Sequence, residues 1–143
     1  MREIEFRAFV KDKGKIFTVK QMDLEYKMIW FEEENKAKDT MRMFDQIELM
    51  RYTGFQDKNG KKIFEGDILK GITEDTGKTR YAIVKFGKYR DVNFEDSCYG
   101  FYFESEGEQF SIYNGEAEGY NLIEIIEIAG NIYDNPELIG EEV

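Results

Sequence analysis

The sequence predicts a mainly β protein, a small barrel or sandwich of short strands with one helical turn close to the C-terminus. Three observations predict this class. Apolar and polar residues alternate with period two in several short segments, aromatic residues make up 15% of the chain, and tight-turn pairs such as Asn59-Gly60 separate the segments. A length of 143 residues suits one domain, or one domain with a small appendage.

Three strands are predicted in the first part of the chain. Charged residues alternate with Ile4, Phe6, Ala8 and Val10, which predicts a half-buried first strand. A polar turn then leads to a second strand rich in β-branched and aromatic residues. The third strand carries apolar residues on both faces and is expected to be largely buried. The second and third strands span residues 16–19 and 26–31.

Two short helical segments are predicted. The first falls between residues 39 and 47, where apolar residues recur at near-helical spacing after Asp39 or Thr40 as a cap. The second begins with Asn135 as its cap and Pro136 at its first position. The apolar residues of the first segment are Met41, Phe44 and Ile47.

The clearest local signal is a hairpin centred on Asn59 and Gly60. This pair suits a type I′ turn, in which both central residues need a positive φ. Folding about that turn places Asp57 opposite Lys62. A second hairpin is expected from residues 68–73 and 79–86, and further strands from residues 100–104, 110–113 and 120–128.

Composition argues against most familiar enzyme chemistry. The chain has no histidine and a single cysteine, Cys98, so it can form neither a histidine-based triad nor a thiolate metal cage. We therefore expect no enzyme activity, no catalytic residues, no cofactor and no metal site. The N-terminus does not resemble a signal peptide, and no apolar run is long enough to span a membrane, so a cytoplasmic protein without a membrane partner is expected.

Charge is distributed unevenly along the chain, whose net charge is −10. Arg90 is the last basic residue, and 14 carboxylates follow it between Asp91 and Val143. Two interpretations remain open. The acidic half forms either a solvated surface or an electronegative face that binds a basic partner. Three carboxylates could gather on one face of an extended segment: Glu104, Glu106 and Glu108.

A run of aromatic residues lies in the same acidic half, between residues 99 and 103. Core packing is one interpretation of this run. The other is a protein interface, in which exposed aromatic residues are enriched. The aromatic candidates for such an interface are Tyr99 and Tyr102.

Three motifs in order resemble the YopX family of phage and prophage proteins. The central motif covers residues 49–55 (LMRYTGF) and 57–68 (DKNGKKIFEGDI), and the C-terminal motif covers residues 126–138 (IEIAGNIYDNPEL). The opening residues 4–9 (IEFRAF) are similar to the start of the family, although Phe9 stands where a Trp is more usual. The resemblance spans essentially the whole chain.

The resemblance implies an SH3-like small barrel over residues 51–143, preceded by a β-rich region over residues 1–50. It also implies an accessory role in a phage or prophage, without supplying catalytic residues. Five residues of the motifs are either turn-forming structural residues or parts of a shared binding site. They are Tyr52, Asp57, Glu65, Asp67 and Asn131.

Two functions are therefore expected as alternatives. The first is a non-enzymatic accessory protein that binds a host or phage protein with a basic surface through its acidic half. The second is a nucleic-acid-binding accessory protein that uses the basic residues of the N-terminal half and the 58–62 hairpin. The sequence does not predict an oligomeric state. The lysines of the second alternative are Lys11, Lys13, Lys15, Lys20, Lys58, Lys61 and Lys62.

Overall fold

The computed structural model describes residues 3–72, 77–92, 96–111 and 126–140. The chain divides into two compact units, Met1–Tyr52 and Thr53–Val143. Strands dominate both units, which confirms the predicted mainly β class. No helix in the described ranges is long and apolar enough to cross a membrane.

The first unit contains two antiparallel arrangements of strands. The strands are β1 (Phe6–Val10), β2 (Lys15–Thr18), β3 (Gln21–Asp23), β4 (Met28–Phe31), β5 (Thr40–Met43) and β6 (Ile47–Gln56). In one arrangement, β1 lies between β2 and β6, and in the other, β4 lies between β3 and β5. A 3-10 turn, Phe44–Gln46, connects β5 to β6.

One face of the β3-β4-β5 sheet faces the core of the first unit. Ile29 and Phe31 are fully buried there, and the ring of Phe31 packs 4.4 Å from that of Phe17. Because side chains alternate between the two faces of a strand, Met28 and Trp30 lie on the opposite face. The other buried members of this core are Ala8, Val10 and Ile47.

The second unit is built mainly from six further strands. They are β7 (Lys62–Phe64), β8 (Asp67–Ile72), β9 (Thr79–Arg90), β10 (Ser97–Ser105), β11 (Glu108–Ser111) and β12 (Glu127–Asn131). Five of them form an antiparallel sheet in the order β11-β10-β9-β8-β12. The end of β6 also belongs to this unit and pairs with β7. This arrangement is consistent with the SH3-like barrel that the resemblance implies.

The core of the second unit is built from aliphatic and aromatic side chains of the sheet. Phe101 and Phe103 alternate along β10 on the buried face, and the ring of Phe86 meets that of Phe101 edge to face at 4.8 Å. This packing holds β9 and β10 together over most of their length. The remaining buried members are Ile63, Leu69 and Val84.

The predicted helix between residues 39 and 47 is mostly wrong. Thr40–Met43 forms strand β5, which pairs with β4 in the register Trp30 to Met41 and Met28 to Met43. Only Phe44–Gln46 is helical, and the side chain of Gln46 accepts a hydrogen bond from the backbone N–H of Met43. Pairing with a neighbouring strand therefore outweighs the near-helical spacing of three apolar residues.

The predicted hairpin at Asn59-Gly60 exists, but its turn type and register differ from the prediction. Of these two residues only Gly60 has a positive φ, and the backbone N–H of Asp57 donates to Lys61 rather than pairing with Lys62. The loop thus has three residues and ends with glycine in the left-handed region. A two-residue turn with two positive φ values occurs instead at Glu106-Gly107.

The predicted C-terminal helical turn is confirmed as a 3-10 helix, Pro136–Ile139. Asn135 does not cap it with its side chain, which accepts a hydrogen bond from the backbone N–H of Asn131 instead. Parts of three predicted elements lie outside the described residues. They are residues 120–125 of the strand predicted over 120–128, residues 112–113 of the strand predicted over 110–113, and the start of the turn predicted before strand 79–86.

Candidate functional site

Asp57 is the most highly connected of the candidate residues from the motifs. Its side chain is buried, with 6% exposure, at the base of the hairpin loop. One carboxylate oxygen accepts hydrogen bonds from the backbone N–H groups of Asn59 and Lys61, each at 2.9 Å. The other oxygen accepts from the N–H of Ile128, also at 2.9 Å, across 71 residues of sequence. Asp57 therefore fastens the hairpin loop to β12.

The electrostatics of Asp57 fit this role. Burial acts to raise the pKa of its carboxyl group, because desolvation penalises the charged form. The backbone N–H groups of Ile128, Lys61 and Asn59 act in the opposite direction and outweigh burial, so that the pKa lies below its ordinary value. The carboxylate is thus ionised at neutral pH and accepts three backbone hydrogen bonds within the fold.

The tip of the same hairpin makes further contacts with the start of β12. The backbone N–H of Lys58 donates to the carbonyl oxygen of Ile126 at 3.1 Å. The side chains of Lys58 and Asn59 both reach the Glu127 carboxylate, at 3.7 and 3.5 Å. These contacts place the central and C-terminal motifs side by side in the second unit.

The Glu65-Gly66-Asp67 segment forms the turn between β7 and β8. Gly66 has φ +83°, which suits glycine, and the buried Asp67 side chain accepts a hydrogen bond from the N–H of Phe64 at 2.8 Å. The backbone of Gly66 bonds to Val84 on one side and to Ile132 on the other. The turn therefore joins β9 to the C-terminal motif, and Glu65 lies half-buried within it.

Asn131 organises the turn that follows β12. Its side-chain oxygen accepts hydrogen bonds from the N–H groups of Tyr133 and Asp134, both at 2.9 Å, and its own N–H donates to the Asn135 side chain. The space beside Gly130 is filled by Asn135, because a Cβ on Gly130 would lie 2.2 Å from the Asn135 Oδ1. A glycine is needed here for lack of room.

The structure thus brings four of the five motif candidates into one hydrogen-bonded region around β12. Asp57 bonds to Ile128, Asp67 pairs with Asn131, and Glu65 lies in the adjoining turn. Tyr52 is buried at the end of the first unit, where its backbone N–H donates to Glu5. The contacts made by Asp57, Asp67 and Asn131 favour the structural interpretation of the motif, although a shared binding site stays a prediction.

The aromatic candidates of the acidic half have different surroundings. Tyr102 is buried and stacks on Tyr89, with ring centroids 4.7 Å apart. Burial raises the pKa of Tyr89, so the hydroxyl group of Tyr89 is uncharged at neutral pH. Tyr99 is 75% exposed, and its ring makes an edge-to-face contact with that of Phe86. Tyr99 is therefore the aromatic candidate available to a partner.

The three acidic candidates do not gather on one face. Ser105 pairs with Glu108 and Glu104 pairs with Gln109, so the alternation of the strands puts Glu104 and Glu108 on opposite faces of the hairpin. Glu104 forms a salt bridge with Lys85, and this contact lowers the pKa of its carboxyl group. Glu108 lies 3.4 Å from Arg80, and Glu106 is exposed in the turn.

Several lysines of the basic N-terminal half are also paired. Lys13 and Lys36 lie 2.7 and 2.6 Å from the carboxylate of Glu33, and Lys20 lies 2.8 Å from Glu32. Lys11 is 3.5 Å from Glu48, while Lys15 and Lys61 are exposed. The local excess of positive charge that the sequence indicates is thus reduced by carboxylates of neighbouring strands and loops.

The lowered pKa of Glu33 predicts a specific pH dependence for the stability of the first unit. Hydrogen bonds from Lys13, Lys36 and Thr40 lower the pKa of Glu33 to about 2, from an ordinary value of 4.5. Because the folded-state pKa is depressed, its stabilising contribution is complete above pH 4.5 and is lost as the pH falls through about 2. Glu33→Gln should lower Tm at pH 7, and the two proteins should converge near pH 2. A difference in Tm that does not change with pH would contradict this assignment.

The sequence did not single out an apolar surface that lies on the β3-β4-β5 sheet. Met28 and Trp30 on β4 stand directly beside Met43 and Met41 on β5, on the face of the sheet opposite Ile29 and Phe31. Met41 and Met43 are 40% and 37% exposed. We call this surface the apolar face; it comprises Met28, Trp30, Met41 and Met43 together with Leu24 and Tyr26 in the β3-β4 turn.

The turn beside the apolar face is held in place by Asp23. Its carboxylate accepts hydrogen bonds from the backbone N–H groups of Glu25 and Tyr26, each at 2.9 Å. Lys27 adopts a left-handed φ of +55° and completes the turn. Leu24 and Tyr26 are thereby presented to solvent, at 74% and 63% exposure. The alternation Met41-Arg42-Met43 in the sequence is the pattern of a strand with one apolar face, but these residues were assigned to the predicted helix between residues 39 and 47.

Within the part of the chain that the structure describes, no group of three or more histidine, cysteine, aspartate or glutamate residues could hold a metal ion. Cys98 is half-buried, and its Sγ lies 3.9 Å from the carbonyl oxygen of Asp96.

Comparison with known proteins identifies relatives of the chain by sequence and by fold. The family model described as YopX protein matches residues 5–140. No curated protein matches the sequence. Among solved structures, the crystal structure of protein EF1440 from Enterococcus faecalis is similar with a TM-score of 0.60 at 21% identity. That similarity covers 97% of this chain and 99% of the other, and it concerns the fold.

Proposed function

The chain belongs to the YopX protein family, and on that premise we propose that it is a non-enzymatic protein-interaction module that binds a partner through the apolar face. The observation that carries the proposal is a sheet face with core on its other side, on which the exposed Met41 and Met43 stand beside the half-buried Trp30 and Met28. Leu24 and Tyr26 are exposed in the adjoining β3-β4 turn. Exposed contiguous apolar patches of this kind mark interaction sites in soluble proteins.

The residue types of the apolar face support binding to a protein. Tryptophan and tyrosine are enriched among the residues that contribute most to interface affinity. Methionine side chains are flexible and polarisable, which lets a surface adapt to a partner. The six residues also project from paired strands and one tight turn, so the surface is largely organised before binding.

The acidic half has a different part in this proposal from the one the sequence suggested. Residues 1–52 contain 11 basic and 11 acidic residues, so this unit has no net charge. Residues 53–143 contain 9 basic and 19 acidic residues and therefore carry the whole net charge of −10. Glu104 and Glu108 pair with cations of β9, so they are less suited to a dedicated acidic face. The second unit would instead attract a basic partner at long range. The accessory role in a phage or prophage remains what the family resemblance implies.

The proposal is tested by capture with the tagged full chain from a lysate of the source cells. A partner retained by the wild-type protein should be lost by Met41→Glu/Met43→Glu, because two carboxylates on the apolar face prevent its desolvation. Ile72→Glu is the matched control, since Ile72 is also exposed but lies on β8. Equal capture by all three proteins would contradict the proposal, provided that circular dichroism shows the variants to be folded.

The nucleic-acid alternative receives less support. Four of its seven lysines, Lys11, Lys13, Lys20 and Lys58, form salt bridges within the chain. Phosphate binding depends on cations that can release counterions from the nucleic acid, and paired lysines do so less effectively. Mobility-shift assays at low salt with single- and double-stranded DNA and RNA should show no binding, and a shift abolished by Lys15→Glu/Lys61→Glu would favour this alternative.

A further inference from the structure

The apolar face has a charged rim that restricts what can bind to it. Asp23 lies directly beside Met28 on β3, and its carboxylate is at the edge of the face. Glu32 lies two residues after Trp30, and Asp39 lies two residues before Met41. The side chain of Lys20 donates hydrogen bonds to both carboxylates. The rim therefore carries one carboxylate beside Met28 and, beyond the other end of β4, two carboxylates bridged by one lysine.

The contact between Lys20 and Glu32 keeps both of these groups charged at neutral pH. The hydrogen bond from Lys20 lowers the pKa of Glu32, and Lys20 remains a cation because Glu32 and Asp39 raise its pKa. In the turn, the exposed charges of Glu25 and Lys27 offset each other. The rim thus has a net negative charge, and a complementary partner has to place positive charges around an apolar centre.

The geometry of the sheet suits a helix as the occupant. A sheet that is apolar on both faces needs a further layer, which a helix with one apolar stripe can supply. Residues at i, i+3, i+4 and i+7 of such a helix could cover the Met28–Met43 and Trp30–Met41 pairs together. The turn with Leu24 and Tyr26 extends the contact beyond the sheet.

A second copy of the chain fits less well. Two apolar faces packed against each other would bring the carboxylates of their rims together. Like charges placed across an interface oppose association. The charge pattern therefore favours a different molecule over self-association.

We propose that the partner of the apolar face is an amphipathic helix whose apolar stripe is flanked by lysine or arginine residues. This inference rests on the proposed function and specifies the chemistry of the partner. The apolar stripe covers Trp30 and the three methionines, while the flanking cations meet Asp23, Glu32 and Asp39. Neither contact requires a change in the backbone of the sheet.

Trp30 gives a direct measurement, because it is the only tryptophan of the chain and lies within the apolar face. The probe is an 18-residue helical peptide of leucine and lysine in amphipathic order, without aromatic residues. Its titration into the full-length protein should shift the Trp30 emission to shorter wavelength and saturate. The matched peptide, with glutamate in place of each lysine, should produce no shift at the same concentrations.

Variants separate the two kinds of contact. Met41→Glu/Met43→Glu should weaken binding of the lysine peptide at least tenfold, although it adds negative charge that would strengthen a purely electrostatic attraction. Glu32→Gln/Asp39→Asn should weaken binding several-fold and reduce its dependence on salt, because counter-charges are removed from the rim. Ile72→Glu should leave the affinity unchanged.

Several results would overturn the inference. They are equal binding of the two peptides, unchanged affinity in Met41→Glu/Met43→Glu, and a stable dimer in sedimentation that this variant dissociates. Failure of the proposed function looks different, because there the captured partner would be retained by Met41→Glu/Met43→Glu. Capture that depends on Met41 and Met43 without binding of the lysine peptide would overturn the helix inference alone.

Discussion

Asp57→Ala is expected to lower the free energy of unfolding of the second unit by about 3–4 kcal/mol, since it removes a buried charged acceptor from three backbone donors. The N–H groups of Asn59, Lys61 and Ile128 would lose their partner together. The loss should be measured by urea denaturation. The hairpin and β12 should both show faster amide hydrogen exchange, because the carboxylate is what joins them.

Two controls show whether the Asp57 effect arises from these hydrogen bonds. Asp96→Ala removes an exposed carboxylate and should change stability by less than about 0.5 kcal/mol. The folded-state pKa of Asp57 is lowered, so its stabilising contribution is complete above pH 3.8 and is lost as the pH falls further. The difference between the wild-type protein and Asp57→Ala should therefore shrink below that pH. A small, pH-independent difference would contradict the structural role of Asp57.

Gly130→Ala is expected to destabilise the second unit by about 2–3 kcal/mol, because the added methyl group overpacks a filled space. The new Cβ would lie 2.2 Å from Asn135 Oδ1 and 2.9 Å from Asn135 Cβ. Asn135 cannot simply turn away, since its side chain accepts a hydrogen bond from Asn131. The change in the midpoint of urea denaturation measures this cost.

A double-mutant cycle isolates the clash at Gly130. Asn135→Gly removes all three close atoms, so Gly130→Ala should cost much less in that background than in the wild-type protein. Ala129→Val is the matched control, because Ala129 is exposed and occupies the bulge of β12. Equal costs of Gly130→Ala in both backgrounds would show that crowding by Asn135 is not the cause.

The hairpin at residues 57–61 shows which features a local sequence pattern predicts and which it does not. Asn59-Gly60 correctly indicated a reversal of the chain at this point. The turn type depended on the Asp57 carboxylate, which bonds to two N–H groups of the loop and leaves only Gly60 with a positive φ. The bond from Asp57 to Ile128 spans 71 residues, and no local pattern could have indicated it.

The distribution of charge was the least predictable feature of the candidate site. Along the sequence, the carboxylates after Arg90 have no cation among them. In the fold, antiparallel pairing places β9 beside β10, so Lys85 reaches Glu104 and Arg80 reaches Glu108. Segregation in sequence therefore does not imply segregation on the surface, because neighbouring strands bring distant residues together.

The apolar face was missed for a related reason. Exposure of Met41 and Met43 follows from the pairing of β5 with β4, which turns one side chain in two away from the core. The same residues fit a helical spacing with Phe44 and Ile47 nearly as well. The identity of the neighbouring strand, which is a tertiary property, decides between the two structures.

The central claim is that the apolar face, rather than the acidic and aromatic half, contacts the partner. The most direct measurement is photo-crosslinking in the source cells, with a photoreactive phenylalanine analogue placed at Met41 or at Tyr99 of the full chain. We predict a discrete covalent adduct with a protein from position 41 and none from position 99. An adduct from position 99, with none from position 41, would contradict the claim.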